Sequence, residues 1–239
     1  MVIATRFCKF LYKTRVISHD ISKRIPRYKK TTQPQIPSVY SKEEVAQLLS
    51  SIDRQTRLGK RNHAIILLAA RLGLRLSDIR NLKFENILWE DNRITITQYK
   101  TGKELALPLL TDVGNAIYDY IKYGRHISDS QYIFIPERSE HEKLLISSIY
   151  TIFLKAFIKS GVKTADRRRG PHSLRHSLGY ELLQQSTPLP YVSEVLGHRN
   201  SESTRYYMRI DLASMHKCVI DVPCVDNQFY EQRGGCFYE

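Results

Sequence analysis

Apolar residues recur at helical spacing along most of the chain and alternate in only one stretch. Ile3, Phe7, Phe10 and Leu11 predict the end of a helix within residues 1–14. Periodicity then stops from about Arg15 to Val39, a basic segment punctuated by Pro26, Pro34 and Pro37. It resumes at Ser41, which can cap a helix, with Glu44 three residues on completing a capping box before Val45, Leu48 and Leu49. A second helix is predicted over Arg61–Leu72, ending at Gly73, and a third starts at Ser77. Residues 93–99 alternate as a half-buried strand and Leu105–Leu109 forms another. Lys100-Thr101-Gly102-Lys103 between them reads as a hairpin turn.

Helical spacing returns at 111–123 and at 148–160, the latter ending at Gly161. His172–Gln185, Pro190–Leu196 and Ser201–Leu212 complete the set, and the sequence from Pro223 onward has no period. The pattern gives a mainly α protein with one small antiparallel β-sheet (α+β). The expected organisation is a basic lead-in at 1–38, a main domain at 39–212 and a tail at 213–239.

Composition narrows the class. The longest apolar run, Ala64–Ala70, has seven residues, against roughly 20 for a bilayer span. The N-terminus is interrupted by charge every few residues and lacks a secretory core. The four cysteines (Cys8, Cys218, Cys224 and Cys236) have no metal-type spacing, so reduced thiols in a cytoplasmic protein without membrane attachment are expected. The 37 Lys and Arg outweigh 24 Asp and Glu, a net charge of +13. Residues 1–38 hold nine of those cations and one acid, while the last 22 residues carry four acids and one Arg. A basic arm concentrated at one end favours a polyanion, most often nucleic acid.

Four places carry chemical groups that folding does not require: Arg75 between a helix end and the next helix start, Lys100 in the hairpin turn, His172-Ser173-Leu174-Arg175-His176 at a helix opening, and Leu196-Gly197-His198 followed nine residues later by Tyr207. Taken singly, each has an ordinary explanation as a solvated, capping or packing residue. His172 and His176, four apart, have metal-pair spacing. Arg175 beside them, the cationic loop upstream and the lack of a carboxylate third ligand argue against a metal.

In this order and spacing, the pieces resemble the catalytic domain of the tyrosine recombinase (phage integrase) family over residues 39–212. The matching motifs are GLRLSD with Arg75, YKTGK with Lys100 eight residues before Pro108, HSLRH with His172 and Arg175, LGH with His198, and then Tyr207. Asp78 stands where Glu is commoner. The resemblance implies a site-specific DNA recombinase that needs no metal or other cofactor. Tyr207 would be the nucleophile, forming a 3′-phosphotyrosyl intermediate. Arg75 and Arg175 would clamp the phosphate, Lys100 would protonate the leaving 5′-oxygen, His172 would assist proton transfer, and His198 would hydrogen-bond the phosphate.

Tyr206 competes with Tyr207. The count from His198 favours Tyr207, and adjacent helical side chains point about 100° apart, so one of the two faces the phosphate. The resemblance further implies double-stranded DNA as partner, a homo-tetramer on paired sites, and integration or excision of a mobile element. Residues 1–38 would be the remnant of a core-binding domain with its basic linker, and 213–239 a tail exchanged between protomers. A type IB-like nicking and relaxing activity, or a non-catalytic DNA-binding integrase remnant, are the rival readings.

Overall fold

The computed structural model describes residues 2–24, 38–137, 143–165 and 167–197. His198, Tyr206 and Tyr207, the helix expected at Ser201–Leu212, the tail and most of the basic linker lie outside the described residues. Residues 1–36 and 37–239 form two compact units. In the first, α1 (Val2–Lys13) leads through a turn to a short 3-10 segment, Ile21–Lys23, capped by Asp20. Phe7 and Phe10 of α1 are exposed.

The second unit is built around α3 (Arg57–Arg71). Thr56 caps this helix by accepting the Gly59 amide at 3.0 Å, so it begins one turn before the predicted Arg61. Every residue of the run Ala64–Ala70 is buried, as expected of a helix surrounded on all sides. Around it pack α2 (Lys42–Ser50), α5 (Thr111–Asp119), α6 (Ile146–Ser160) and α7 (Pro171–Gln184). The Ser41–Glu44 capping box forms in full at the start of α2, and Gly161 closes α6 in the left-handed conformation. The predicted helix over 111–123 is shorter: α5 stops at Asp119 and continues as a π turn, Tyr120–Gly124, whose apolar spacing mimics further α-helix.

The sheet has three strands rather than two. The antiparallel order is β1 (Ile87–Leu88), β2 (Arg93–Thr97), β3 (Glu104–Pro108), with Ile94 opposite Leu107 and Ile96 opposite Leu105. The β2–β3 ladder ends at Thr97, because the Gln98 backbone already closes the turn. Its N–H donates to the Lys103 carbonyl at 2.9 Å, and its carbonyl accepts the Gly102 amide at 2.8 Å. Two short helices, α4 (Leu76–Arg80) and α8 (Leu189–Val195), bring the remaining motifs to the end of α3. No helix among the described residues is long and apolar enough to cross a membrane.

Candidate active site

The site is assembled where α3 ends. Gly73 takes φ +60°, and a Cβ there would lie 2.8 Å from Leu196 Cδ2 and 3.1 Å from Leu178 Cδ2. Only glycine lets α7 and α8 close this tightly on the turn. Arg75 is the extended N-cap of α4, and its Nη2 donates to the Gly197 carbonyl at 3.2 Å. Arg175, on the second turn of α7, is 5% exposed. Its Nη1 donates to the Gly73 carbonyl at 2.5 Å and its Nη2 to the Leu196 carbonyl. Two guanidinium groups from distant segments therefore converge on the Leu196–Gly197 turn.

Lys100 is exposed on the hairpin turn, where Gly102 supplies the positive φ (+65°) that the tight reversal requires. Asp78 fixes the hairpin in place: it is buried, and its Oδ1 accepts the Tyr99 amide at 3.0 Å. His172 sits on the first turn of α7, beyond Gly170 and Pro171. Desolvation of its ring, then the positive charges of Arg175, Lys100, Arg75 and Arg168, hold its pKa below the ordinary histidine value. Burial, with help from His172 and Arg175, pushes His176 down to about 4. Both imidazoles are neutral at pH 7, so His172 can accept a proton there.

Three buried atoms near these elements have no hydrogen-bond partner among the described residues: Arg75 Nη1, Asp78 Oδ2 and Gln98 Nε2. Leaving a buried polar group unpaired costs about 1–3 kcal/mol, more for a charged one. Such a concentration beside Lys100, His172 and Arg175 does not stabilise the fold and marks these elements as a candidate site. A guanidinium N–H without a protein acceptor, among like charges, is suited to an anion. Among the described residues, no group of three His, Cys, Asp or Glu is placed to hold a metal ion.

The loop before α7 is tied to the start of the unit. Arg167 stacks on the Tyr40 ring with its guanidinium carbon 4.3 Å from the centroid, and forks onto Glu44 at 2.8 and 2.6 Å. Arg168 donates its amide to Ser38 Oγ at 2.8 Å and accepts the Tyr40 hydroxyl at 3.0 Å. The Tyr40 amide in turn donates to Ser177 Oγ on α7 at 2.7 Å. Residues 38–40 thus strap the helix that carries His172 and Arg175.

Of the six residues singled out from the sequence, Arg75, Lys100, His172 and Arg175 are brought together, while His198 and Tyr207 lie outside the described residues. Sequence reasoning passed over Gln98 and treated Asp78 only as a mild replacement. A signal for Gln98 was present: it continues, just beyond β2, the period-two burial of Ile94 and Ile96, so a polar side chain stands where an apolar one is expected.

The chain is similar to several known proteins. A protein of Sinorhizobium fredii named as an integrase/recombinase, y4gC, is 34% identical over 189 residues, covering 79% of this chain and 97% of its own length. The tyrosine recombinase XerA of Pyrococcus furiosus is 29% identical over 205 residues, covering 85% of this chain and 67% of its own. A second Sinorhizobium fredii integrase/recombinase, y4rA, aligns with 93% of this chain but only 54% of itself, so the chain spans about half of that relative. Among solved structures, XerA recombinase superposes with a TM-score of 0.64 at 20% identity, covering 90% of this chain and 73% of that one. XerH bound to palindromic difH DNA gives 0.69 at 22% identity, covering 82% and 56%. The fold is therefore that of tyrosine recombinase catalytic domains. The sequence pattern of the phage integrase family matches residues 39–213, which span all four motifs, and the chain belongs to that family.

Proposed function

We propose that this chain cuts and rejoins DNA at specific sites through a 3′-phosphotyrosyl intermediate, in the integration or excision of a mobile element. The observation that carries this reading is the convergence of Arg75 and Arg175 on the Leu196–Gly197 turn, with Arg75 Nη1 left as a buried donor beside His172 and Lys100. XerH and the lambda integrase, which share the fold, were crystallised on DNA.

In the proposed reaction the Tyr207 oxygen attacks the scissile phosphorus and the bond to the 5′-oxygen breaks. The phenolic proton is released towards the neutral His172, and Lys100 supplies a proton to the departing 5′-hydroxyl. Arg75 and Arg175 neutralise the charge that builds on the non-bridging oxygens. Removing one preorganised donor of this kind costs about 3–4 kcal/mol. The phosphotyrosyl bond retains the energy of the broken phosphodiester, so religation to another 5′-hydroxyl exchanges strands. The basic residues of 1–38 add backbone affinity that weakens with salt, and paired sites would be held by a homo-tetramer.

The test is covalent trapping on randomised duplexes nicked near the scissile position, so that a short 5′-hydroxyl fragment diffuses away and religation fails. A protein–DNA adduct that survives denaturation, with one sequence enriched in the trapped DNA, is expected. DNA binding at low salt without any adduct would point instead to a non-catalytic remnant. Adduct formation without sequence enrichment would point to nicking and relaxing activity.

A further inference from the structure

We propose that Gln98 is a positioning residue: its buried carboxamide sets the spacing between the turn that carries Lys100 and the Leu196–Gly197 turn that leads to His198. The proposal rests on the strand-exchange reading above and assigns a role to a residue outside the motif set.

Gln98 is 1% exposed. Its backbone closes the hairpin turn on both sides, and its Oε1 accepts the Thr101 hydroxyl at 2.7 Å, so the side chain is braced against the loop next to Lys100. The other end of the carboxamide faces Gly197. A Cβ on Gly197 would lie 2.0 Å from Gln98 Nε2, 2.7 Å from the carboxamide carbon and 2.8 Å from Oε1. Glycine is favoured at 197 on two grounds: φ is +58°, and any side chain there would displace the Gln98 carboxamide.

The same turn is gripped through its carbonyls, Gly197 by Arg75 and Leu196 by Arg175. The turn thus meets two guanidiniums and one carboxamide. Shortening Gln98 removes the brace on Lys100 and the stop on Gly197 together. Enlarging Gly197 drives the turn away from the hairpin.

Two measurements test this, both as single-turnover adduct formation at saturating DNA. In the first, Gln98→Ala is compared with the unsubstituted chain on a normal phosphodiester and on one whose bridging 5′-oxygen is sulfur. A 5′-thiolate leaves without a proton donor, so a defect in placing Lys100 disappears on it. The expected loss is about 30-fold on oxygen and under threefold on sulfur, with DNA affinity within twofold. Equal loss on both substrates overturns the proposal. Gln98→Met, which keeps the volume but not the Thr101 bond, is expected to show a smaller loss with the same sulfur rescue, and serves if the alanine variant does not fold.

In the second measurement, Gly197→Ala is expected to slow the reaction at least 300-fold, and adding Gln98→Ala to bring the rate back up to about that of Gln98→Ala alone by vacating the space, a recovery of about tenfold. A double variant no faster than Gly197→Ala overturns the proposal. If the unsubstituted chain forms no adduct on either substrate, the strand-exchange reading itself has failed, an outcome distinct from both.

Discussion

Asp78 Oδ1 accepts the backbone amide of Tyr99 at 3.0 Å, joining the first turn of α4 to the hairpin 21 residues further along the chain. Arg75 lies three residues before Asp78 and Lys100 one residue after Tyr99. One hydrogen bond therefore fixes the separation of a proposed phosphate clamp and a proposed proton donor. Asp78→Ala removes the acceptor of the Tyr99 amide and is expected to lower stability by about 1 kcal/mol and to slow cleavage further than that loss explains. Asp78→Asn, which retains an acceptor oxygen, should recover most of the rate. Thermal unfolding and single-turnover cleavage, measured side by side, check the pair.

The two arginines should separate by stability. Arg175 is buried and satisfies two carbonyls, so Arg175→Ala is expected to cost about 3 kcal/mol or more in folding as well as catalysis. Arg75 is half-buried with one such bond, so Arg75→Ala should leave the melting temperature closer to its starting value while reducing cleavage at least 100-fold. Lysine at either position keeps charge but loses the fork, and should restore little activity. Differential scanning calorimetry with a cleavage assay distinguishes these outcomes.

Acid should weaken the fold in two windows. His176 has a native pKa of about 4, below its ordinary value. The unfolded chain therefore binds more protons between about pH 6.5 and 4, and stability falls as pH drops through that range, by on the order of 2 kcal/mol. Glu44 is held below the ordinary carboxylate value chiefly by its hydrogen bond from Arg167. Its contribution is present above about pH 4.5 and is lost below that as the carboxylate protonates. Melting temperatures from pH 2.5 to 8 should flatten in the upper window for His176→Asn and in the lower one for Glu44→Gln.

The acid limb of cleavage should report His172. Its depressed pKa places the loss of activity below pH 6.5, and removing the positive charge at Arg168 should move that limb upward. A pH–rate profile of Arg168→Gln that leaves the limb unmoved would separate His172 from the proton transfer.

How much of this could be read from sequence depended on the range of the interaction. The Ser41–Glu44 cap, the Gly102 turn and the Gly161 stop are local, and the residues that make them lie within a few positions. β1 escaped notice because two residues carry no period, and the π turn at Tyr120–Gly124 because its apolar spacing continues that of α5. Arg75, Lys100, His172 and Arg175 were legible only as an ordered set that resembles a family. What binds them into a site is long-range: Tyr40 to Ser177, Arg75 to Gly197, Asp78 to Tyr99. No sequence window contains both partners of such a contact.

The most direct test of the central claim is to trap the adduct on nicked duplex in the presence of EDTA, digest it and locate the nucleotide-bearing residue by mass spectrometry. A phosphodiester remnant on Tyr207 is expected, with the adduct abolished by Tyr207→Phe and retained in Tyr206→Phe. Modification of any other residue, or an adduct that forms only when divalent metal is supplied, would contradict it.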